Sequence, residues 1–308
     1  MVFNFICEAI SKVRTTIILD SPLELMPIRL SQTSVMRMYS ILSRNIISLR
    51  KVSLGMNVYS GLPSGTFEYV QPAPVDQRHN LELEIKISKS LERLSRLYKT
   101  NLNLVIYASI FSKEISGISG VKNEFVVNPP YYESYENDLS MKKEIVLTIS
   151  RIHPSKRLDI VGEMSRKVRA KFVIIGYLEK SMENYLQYLR KNYPDLEIIP
   201  NASEEVKRNL LYLSKVYLHA GVGEAFSISK VEAMNAGCVP LVPLYGGAKE
   251  GIPPSLIYST PDDLLSKLEY NLSNYNKTTG IEMIEASRKY NLENFKNHIS
   301  YYVDNYLD

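Results

Sequence analysis

Residues Val216 to Gly247 read VYLHAGVGEAFSISKVEAMNAGCVPLVPLYGG. The apolar runs VYLHA and VPLVPL each have the length and composition of a buried parallel strand. Between them, Ser227 to Ala236 reads as a helix that Gly237 ends. A strand-loop-helix-strand unit sets the helix N-terminus at the carboxyl edge of a parallel sheet. Unpaired N–H groups and the helix dipole favour a phosphate there, and open α/β sheets bind their ligands at that edge. The stretch therefore predicts an α/β fold with an anion-binding loop after the first of its two strands.

The same stretch carries Glu224 in the loop and Glu232 in the second turn of the helix. At a rise of about 1.5 Å per residue, two such carboxylates lie roughly 10 Å apart or a little more. A glycosidase-like acid/base pair needs about 5 to 9.5 Å, so that chemistry is disfavoured. The spacing suits a ligand with hydroxyls at both ends and a diphosphate between them.

The run EAFSISKVEAMNAGCVPLV resembles the E-x7-E signature of family-four retaining glycosyltransferases. With the preceding LHAG and the following YGGAKE it is most similar to the mannosyltransferases that extend dolichol-linked oligosaccharides. The resemblance covers about Val146 to Pro254 and fades upstream. It implies the GT-B architecture: two Rossmann-like domains whose parallel sheets face across a cleft. It also implies that Glu224 binds donor-sugar hydroxyls and Glu232 the ribose. The backbone at Phe226, Ser227, Ile228 and Ser229, with Gly246 and Gly247 of YGGAKE, would complete the donor site. Ser227 departs from the family, which usually has glycine there so that a backbone N–H can approach the ligand.

Directly after the strand Ile145 to Ile149 comes SRIHPSKRLDI, with Arg151 and Lys156 five residues apart. Two cations at the carboxyl edge of a sheet can meet a diphosphate from the side opposite the helix N-terminus. They match the family's donor-phosphate arginine and lysine, which with Glu224 are the implied catalytic residues. Glycines common at the flanking positions are here Ser150 and Arg157. Charge grows on a departing nucleotide diphosphate, and preplaced cations and N–H groups stabilise it. No D-x-D motif is evident, and Asp262-Asp263 reads as a helix start, so transfer is expected to need neither metal nor cofactor. Retention of configuration, implied by the family, requires no strong base opposite the leaving group.

Upstream, TTIILD at Thr15 to Asp20 reads as a strand and Ile28 to Arg50 as one or two helices. TFEYV at Thr66 to Val70 reads as a strand, and Leu81 to Leu97 as an amphipathic helix. Leu102 to Tyr107 and Glu124 to Pro130 complete the strands of an alternating, hence parallel, first domain. No G-x-G-x-x-G follows its first strand. The corner YVQPAP resembles the family's amino domain, where a histidine often contacts the donor sugar. Gln71 stands there, and His79 lies eight residues on. Gln71 can hydrogen-bond a hydroxyl but cannot titrate near neutral pH. The segment before Gln71 is shorter than the family's usual amino domain.

Tyr131 to Met141 lacks apolar periodicity and is placed as the inter-domain linker. The expected domains are 1–140 for the acceptor, 141–285 for the nucleotide sugar, and 286–308 as a terminal helix crossing back to the first. Three strand-helix pairs precede the central unit, and a short strand at Leu256 to Tyr258 follows it. Two last helices are placed at Pro261 to Tyr270 and Ile281 to about Leu307.

With 308 residues and 45% hydrophobic content, the chain can fill two cores. No apolar run reaches the length of a membrane span, and MVFNFICEAI lacks the basic region and cleavage site of a signal peptide. Cys7 and Cys238 suggest neither a disulfide framework nor a zinc site, in keeping with a reducing cytoplasm. The net charge of +4 is modest. Residues 25–67 hold no acidic group, and Arg29, Arg37, Arg44, Arg50 and Lys51 lie among apolar residues there. Such a stretch suits peripheral contact with an anionic membrane, whereas nucleic-acid binding finds no motif.

The functional expectation is hexosyl transfer from a GDP-mannose or UDP-glucose type donor to a lipid-linked or glycan acceptor. A non-catalytic nucleotide-sugar-binding or scaffolding protein of the same fold is the alternative. An epimerase would need titratable groups near the sugar that the sequence does not supply.

Overall fold

The computed structural model describes residues 17–20, 104–115, 121–133, 135 and 138–306. The expected elements between 28 and 97, the basic stretch 25–67, Cys7, Gln71 and His79 lie outside these residues.

The chain divides into two units. One comprises 1–128 with 295–308, the other 129–294. The first holds a parallel sheet, β1 (Ile17–Asp20), β2 (Leu104–Tyr107) and β3 (Asn123–Val126), in that order. Helix α1 (Ile110–Ile115) follows β2, with the Ser112 N–H donating to Ser109 Oγ at its start. Within this unit Phe125 stacks on Tyr302 of the last helix, with centroids 3.9 Å apart.

The second unit starts at Pro129, upstream of the stretch placed as a linker. Tyr131 to Met141 has no periodicity because its contacts are individual. The Tyr131 N–H donates to the Tyr290 carbonyl, and its ring packs with Phe226, Val231 and Tyr290. The Tyr135 N–H donates to Asn235 Oδ1 at 2.9 Å.

Six parallel strands follow: β4 (Lys143–Ile149), β5 (Lys171–Gly176), β6 (Glu197–Pro200), β7 (Ser214–Leu218), β8 (Val239–Pro243) and β9 (Ile257–Tyr258). Helices α2 (Leu158–Lys167), α3 (Glu183–Asn192) and α4 (Glu204–Leu213) connect the first four, and α5 (Ile228–Asn235) joins β7 to β8. The sheet is covered on both faces, which explains its continuous apolar strands. Val146, Phe172, Ile174, Val216 and Leu218 point into one core. Their neighbours Leu147, Val173, Ile175 and Tyr217 point into the other, the period of two that a pleated strand requires.

Helix α5 stops where Gly237 stands. That residue has φ +76, and its N–H and that of Cys238 donate to the Met234 and Ala233 carbonyls, the pair of bonds of a Schellman ending. After α6 (Pro261–Asn274), the region expected as one helix from Ile281 is two, α7 (Lys277–Ser287) and α8 (Leu292–Tyr306). Asn276 sets the start of the first, and Asn291, after a 3-10 turn at Arg288–Tyr290, sets the start of the second. Each side-chain oxygen accepts an N–H three residues on, from Thr279 and Asn294, so each opens a new helix. No helix of the described residues is long and apolar enough to cross a membrane.

Candidate functional site

The strand order β6-β5-β4-β7-β8-β9 is that of a doubly wound sheet. After β4 the chain moves toward β6, and after β7 it moves toward β9, so these two neighbours form the point where winding reverses. Loops leaving their carboxyl ends diverge and open a crevice, the place where such sheets take ligands. The two loops are 150–157 and 219–227, and they carry the two motifs singled out in the sequence.

In the first loop the Ile152 N–H donates to the Tyr177 carbonyl. His153 opens a single 3-10 turn, Pro154–Lys156, with Nδ1 accepting from the Ser155 N–H at 3.1 Å. Burial, and then the charges of Arg151 and Lys156, bring the His153 pKa down to about 4, so it is neutral at pH 7. Lys156 is buried and Arg151 exposed. Arg157, one of the two flanking departures from glycine, has φ +51. This left-handed conformation is one that glycine adopts without strain.

The second loop returns Glu224 to meet Lys156. Nζ of Lys156 donates to Glu224 Oε1 across 68 residues of chain. Glu224 Oε2 lies 3.7 Å from His219 Nε2. Burial by itself would raise the Glu224 pKa, but Lys156, His219 and Arg151 together hold the carboxyl well below its ordinary range. It is thus an ionised acceptor at neutral pH, within reach of the Lys156 and Arg151 charges. Ser227 Oγ lies 3.4 Å from His219 Nδ1, and the Tyr217 hydroxyl 2.8 Å from Ser229 Oγ.

Ser227 caps α5, its Oγ accepting the Lys230 N–H, at φ +120 and ψ +93. Few L residues enter this region, and the cost is of order 1–3 kcal/mol. The family's glycine at this position therefore has a conformational as well as a steric reason. Phe226 is buried among Tyr131, Val231 and Tyr290, so it offers the site only its backbone.

Gly246 and Gly247 frame Glu224 from behind. The Gly247 N–H donates to the Glu224 carbonyl, and the Gly223 N–H to the Tyr245 carbonyl. Gly246 has φ +125, and a Cβ there would lie 3.1 Å from the backbone nitrogens of Gly223 and Glu224. The same turn is held from α5 by Lys230, fully buried, whose Nζ donates to the Ala248 and Glu250 carbonyls at 3.0 and 2.9 Å. Nζ also sits 4.4 Å over the Phe226 ring. Burial brings the Lys230 pKa down to about 7, with Glu250 opposing and Lys289 adding to the shift.

Glu232 has a separate partner. Lys207 of α4 reaches its Oε1 at 3.1 Å and Glu204 Oε2 also at 3.1 Å. Burial raises the Glu232 pKa against the pull of Lys207. Burial lowers that of Lys207, but Glu232 and its neighbours outweigh this and raise it.

The structure thus gathers Arg151, Lys156 and Glu224 on two adjacent loops, Ser227 to Ser229 beside them, and Gly246 and Gly247 behind. Glu232 lies one turn into α5, held by α4. His153, His219, Lys207 and Lys230 also belong to this arrangement, beyond the residues that the motifs name. Only Lys230 carried a signal, a lysine within the buried helix pattern SISKVEAM. The others required knowledge of which loops meet.

Residues 133–282 match the family described as glycosyl transferases group 1. The second unit carries a glycosyltransferase group 1 domain, and the fold is GT-B. Among curated proteins, the gpi3 subunit of phosphatidylinositol N-acetylglucosaminyltransferase from Schizosaccharomyces pombe is 25% identical over 59% of this chain and 44% of its own length. Glycogen synthase of Fusobacterium nucleatum is 24% identical over 49% of this chain and 36% of its own. The chain thus spans less than half the length of these two relatives. Among solved structures, sucrose-phosphate synthase from Thermosynechococcus elongatus aligns at TM-score 0.66 and 12% identity, covering 91% of this chain and 80% of that one. The Anabaena protein HepE, in complex with UDP and glucose, aligns at TM-score 0.62 and 13% identity, covering 94% and 99%.

Proposed function

We propose that this protein transfers a hexosyl group, with retention, from a nucleotide-diphosphate sugar to a lipid-linked or glycan acceptor. The observation that carries this reading is the meeting of Lys156 and Glu224 at the reversal point of the sheet, beside the capped start of α5. Two unlike groups adjoin there, a cation suited to phosphate and an ionised carboxylate suited to sugar hydroxyls. A sugar diphosphate joins those two chemistries at one atom.

In this reading Lys156, Arg151 and the backbone N–H groups from Phe226 to Ser229 receive the diphosphate. Negative charge grows on it as the glycosidic bond breaks, and groups fixed in advance stabilise that charge without reorganising. Glu224 orients the sugar hydroxyls, and Glu232 accepts from the ribose. Arg151, Lys156 and the helix terminus already balance most of a diphosphate's charge, so transfer proceeds without a metal. The donor is of the GDP-mannose or UDP-glucose type. The dolichol-type acceptor, the contact of residues 25–67 with an anionic membrane, and a cytoplasmic site of action extend the same reading.

The test is a thermal-shift panel of nucleotide sugars with donor hydrolysis measured in the same wells. A ligand at 100 times its dissociation constant stabilises by about 2.7 kcal/mol. Stabilisation with hydrolysis supports the transferase, and stabilisation without hydrolysis or transfer supports a binding protein instead. A chelator is expected to leave the rate nearly unchanged. Abolition by the chelator, with rescue by Mn²⁺ or Mg²⁺, would refute the phosphate site.

A further inference from the structure

Glu232 is held by a group of unusual composition. Its Oε1 is taken by Lys207, whose ammonium also holds Glu204, and no described residue donates a hydrogen bond to its Oε2. Tyr135 packs against the same two helices, α4 and α5, that carry Lys207 and Glu232. Its ring is buried edge-on against Tyr212, with centroids 5.9 Å apart, and its backbone is fixed to α5 through Asn235. Its hydroxyl is buried and has no hydrogen-bond partner among the described residues. Burial raises the Tyr135 pKa, Glu232 raises it further, and Lys207 opposes. The hydroxyl is therefore protonated and within the field of the Glu232–Lys207 pair.

A buried hydroxyl without a partner costs about 1–3 kcal/mol, and its position beside an ionisable carboxylate points to a ligand that satisfies both. Tyrosine can donate or accept, whereas a carboxylate only accepts. Together they match vicinal hydroxyls, one donating to Glu232 and the other exchanging a hydrogen bond with Tyr135.

We propose that Lys207 and Tyr135 determine selectivity for the ribose cis-diol of the nucleotide. Lys207 positions Glu232 by occupying one carboxylate oxygen, and Tyr135 contacts the second hydroxyl. The assignment rests on the reading above that Glu232 faces the ribose. It adds a prediction that reading does not contain: 2′-deoxynucleotides are rejected through α4 and the segment before β4, not through α5 alone.

The experiment measures the affinity of the full chain for UDP, GDP and ADP and for their 2′-deoxy counterparts. Wild type, Lys207→Met, Lys207→Arg and Tyr135→Phe are compared, with melting temperatures as the folding control. In wild type the preferred diphosphate is expected to bind about 10-fold or more tighter than its deoxy form, the scale of a hydrogen bond to a charged group. Lys207→Met should weaken the ribonucleotide about 10-fold and leave the deoxynucleotide nearly unchanged, so discrimination collapses. Lys207→Arg should restore part of it. Tyr135→Phe removes one hydroxyl that has no partner among the described residues, so folding should hold while discrimination falls about 3-fold or more. Variants that weaken both forms equally, or that keep full discrimination, overturn the proposal. Failure of the wild type to bind any of these diphosphates overturns the donor-site reading itself, and this proposal with it.

Discussion

Two partly buried lysine-glutamate pairs have their carboxylates eight residues apart on the same loop-helix junction, and their electrostatics run in opposite directions. Glu224 is held below its ordinary range because Lys156, His219 and Arg151 converge on it. Glu232 is pushed up because burial, with Glu204 and Glu133 adding to it, outweighs the single partner Lys207. The first arrangement keeps full charge at the point proposed to receive the phosphate and sugar of the donor. The second holds a carboxylate nearer neutrality, which suits uncharged hydroxyls. Proximity to a lysine therefore does not define a role, which depends on how many charges of each sign the fold brings within reach.

The largest expected effect breaks the first pair. Lys156→Ala should lower turnover about 100-fold or more, since the diphosphate proposed to leave beside it gains charge during the reaction, with a smaller change in donor affinity. Steady-state kinetics decide this, and a change confined to KM would remove Lys156 from the reacting centre. Glu232→Ala is the matched cut in the second pair. It should weaken donor binding about 10-fold and keep turnover within about 3-fold, because the proposed ribose contacts are equal in ground and transition states.

Acid titration separates the pairs by sign. Glu224 has a native pKa below its unfolded value of 4.5, so its contribution is fully present above pH 4.5 and disappears only as pH falls through the native value. Glu232 has a native pKa above 4.5. Its ionised form is disfavoured by folding at neutral pH, and that penalty vanishes as pH falls through the raised value. The difference between wild type and Glu224→Gln should hence stay constant in thermal unfolding from pH 7 to 5. The difference for Glu232→Gln should change as pH falls from neutral to 4.5, with wild type gaining. Parallel behaviour would show that the two carboxylates share one environment.

The smallest effect sharpens the geometry around the first pair. Ser227→Gly should stabilise the fold by about 1 kcal/mol, the strain released at φ +120 less a few tenths for the lost cap. Chemical denaturation measures this, and a destabilised variant would mean that the cap outweighs the strain.

Much of the second unit was legible in the sequence. VYLHA and VPLVPL are strands because apolar runs of that length can be buried only inside a covered parallel sheet, and α5 ends at Gly237 because only a left-handed residue closes its last carbonyls. The break between α7 and α8 is not legible, since asparagine caps carry no apolar signature. Tyr131 and Tyr135 read as linker because single aromatic contacts leave no period. What the sequence by itself determined was local: strand, helix and stop signals, and the spacing of Glu224 and Glu232 along one element. The tertiary structure alone decided that Lys156 faces Glu224 and that Lys207 faces Glu232, because strand order places loops distant in sequence side by side and no local propensity encodes that order.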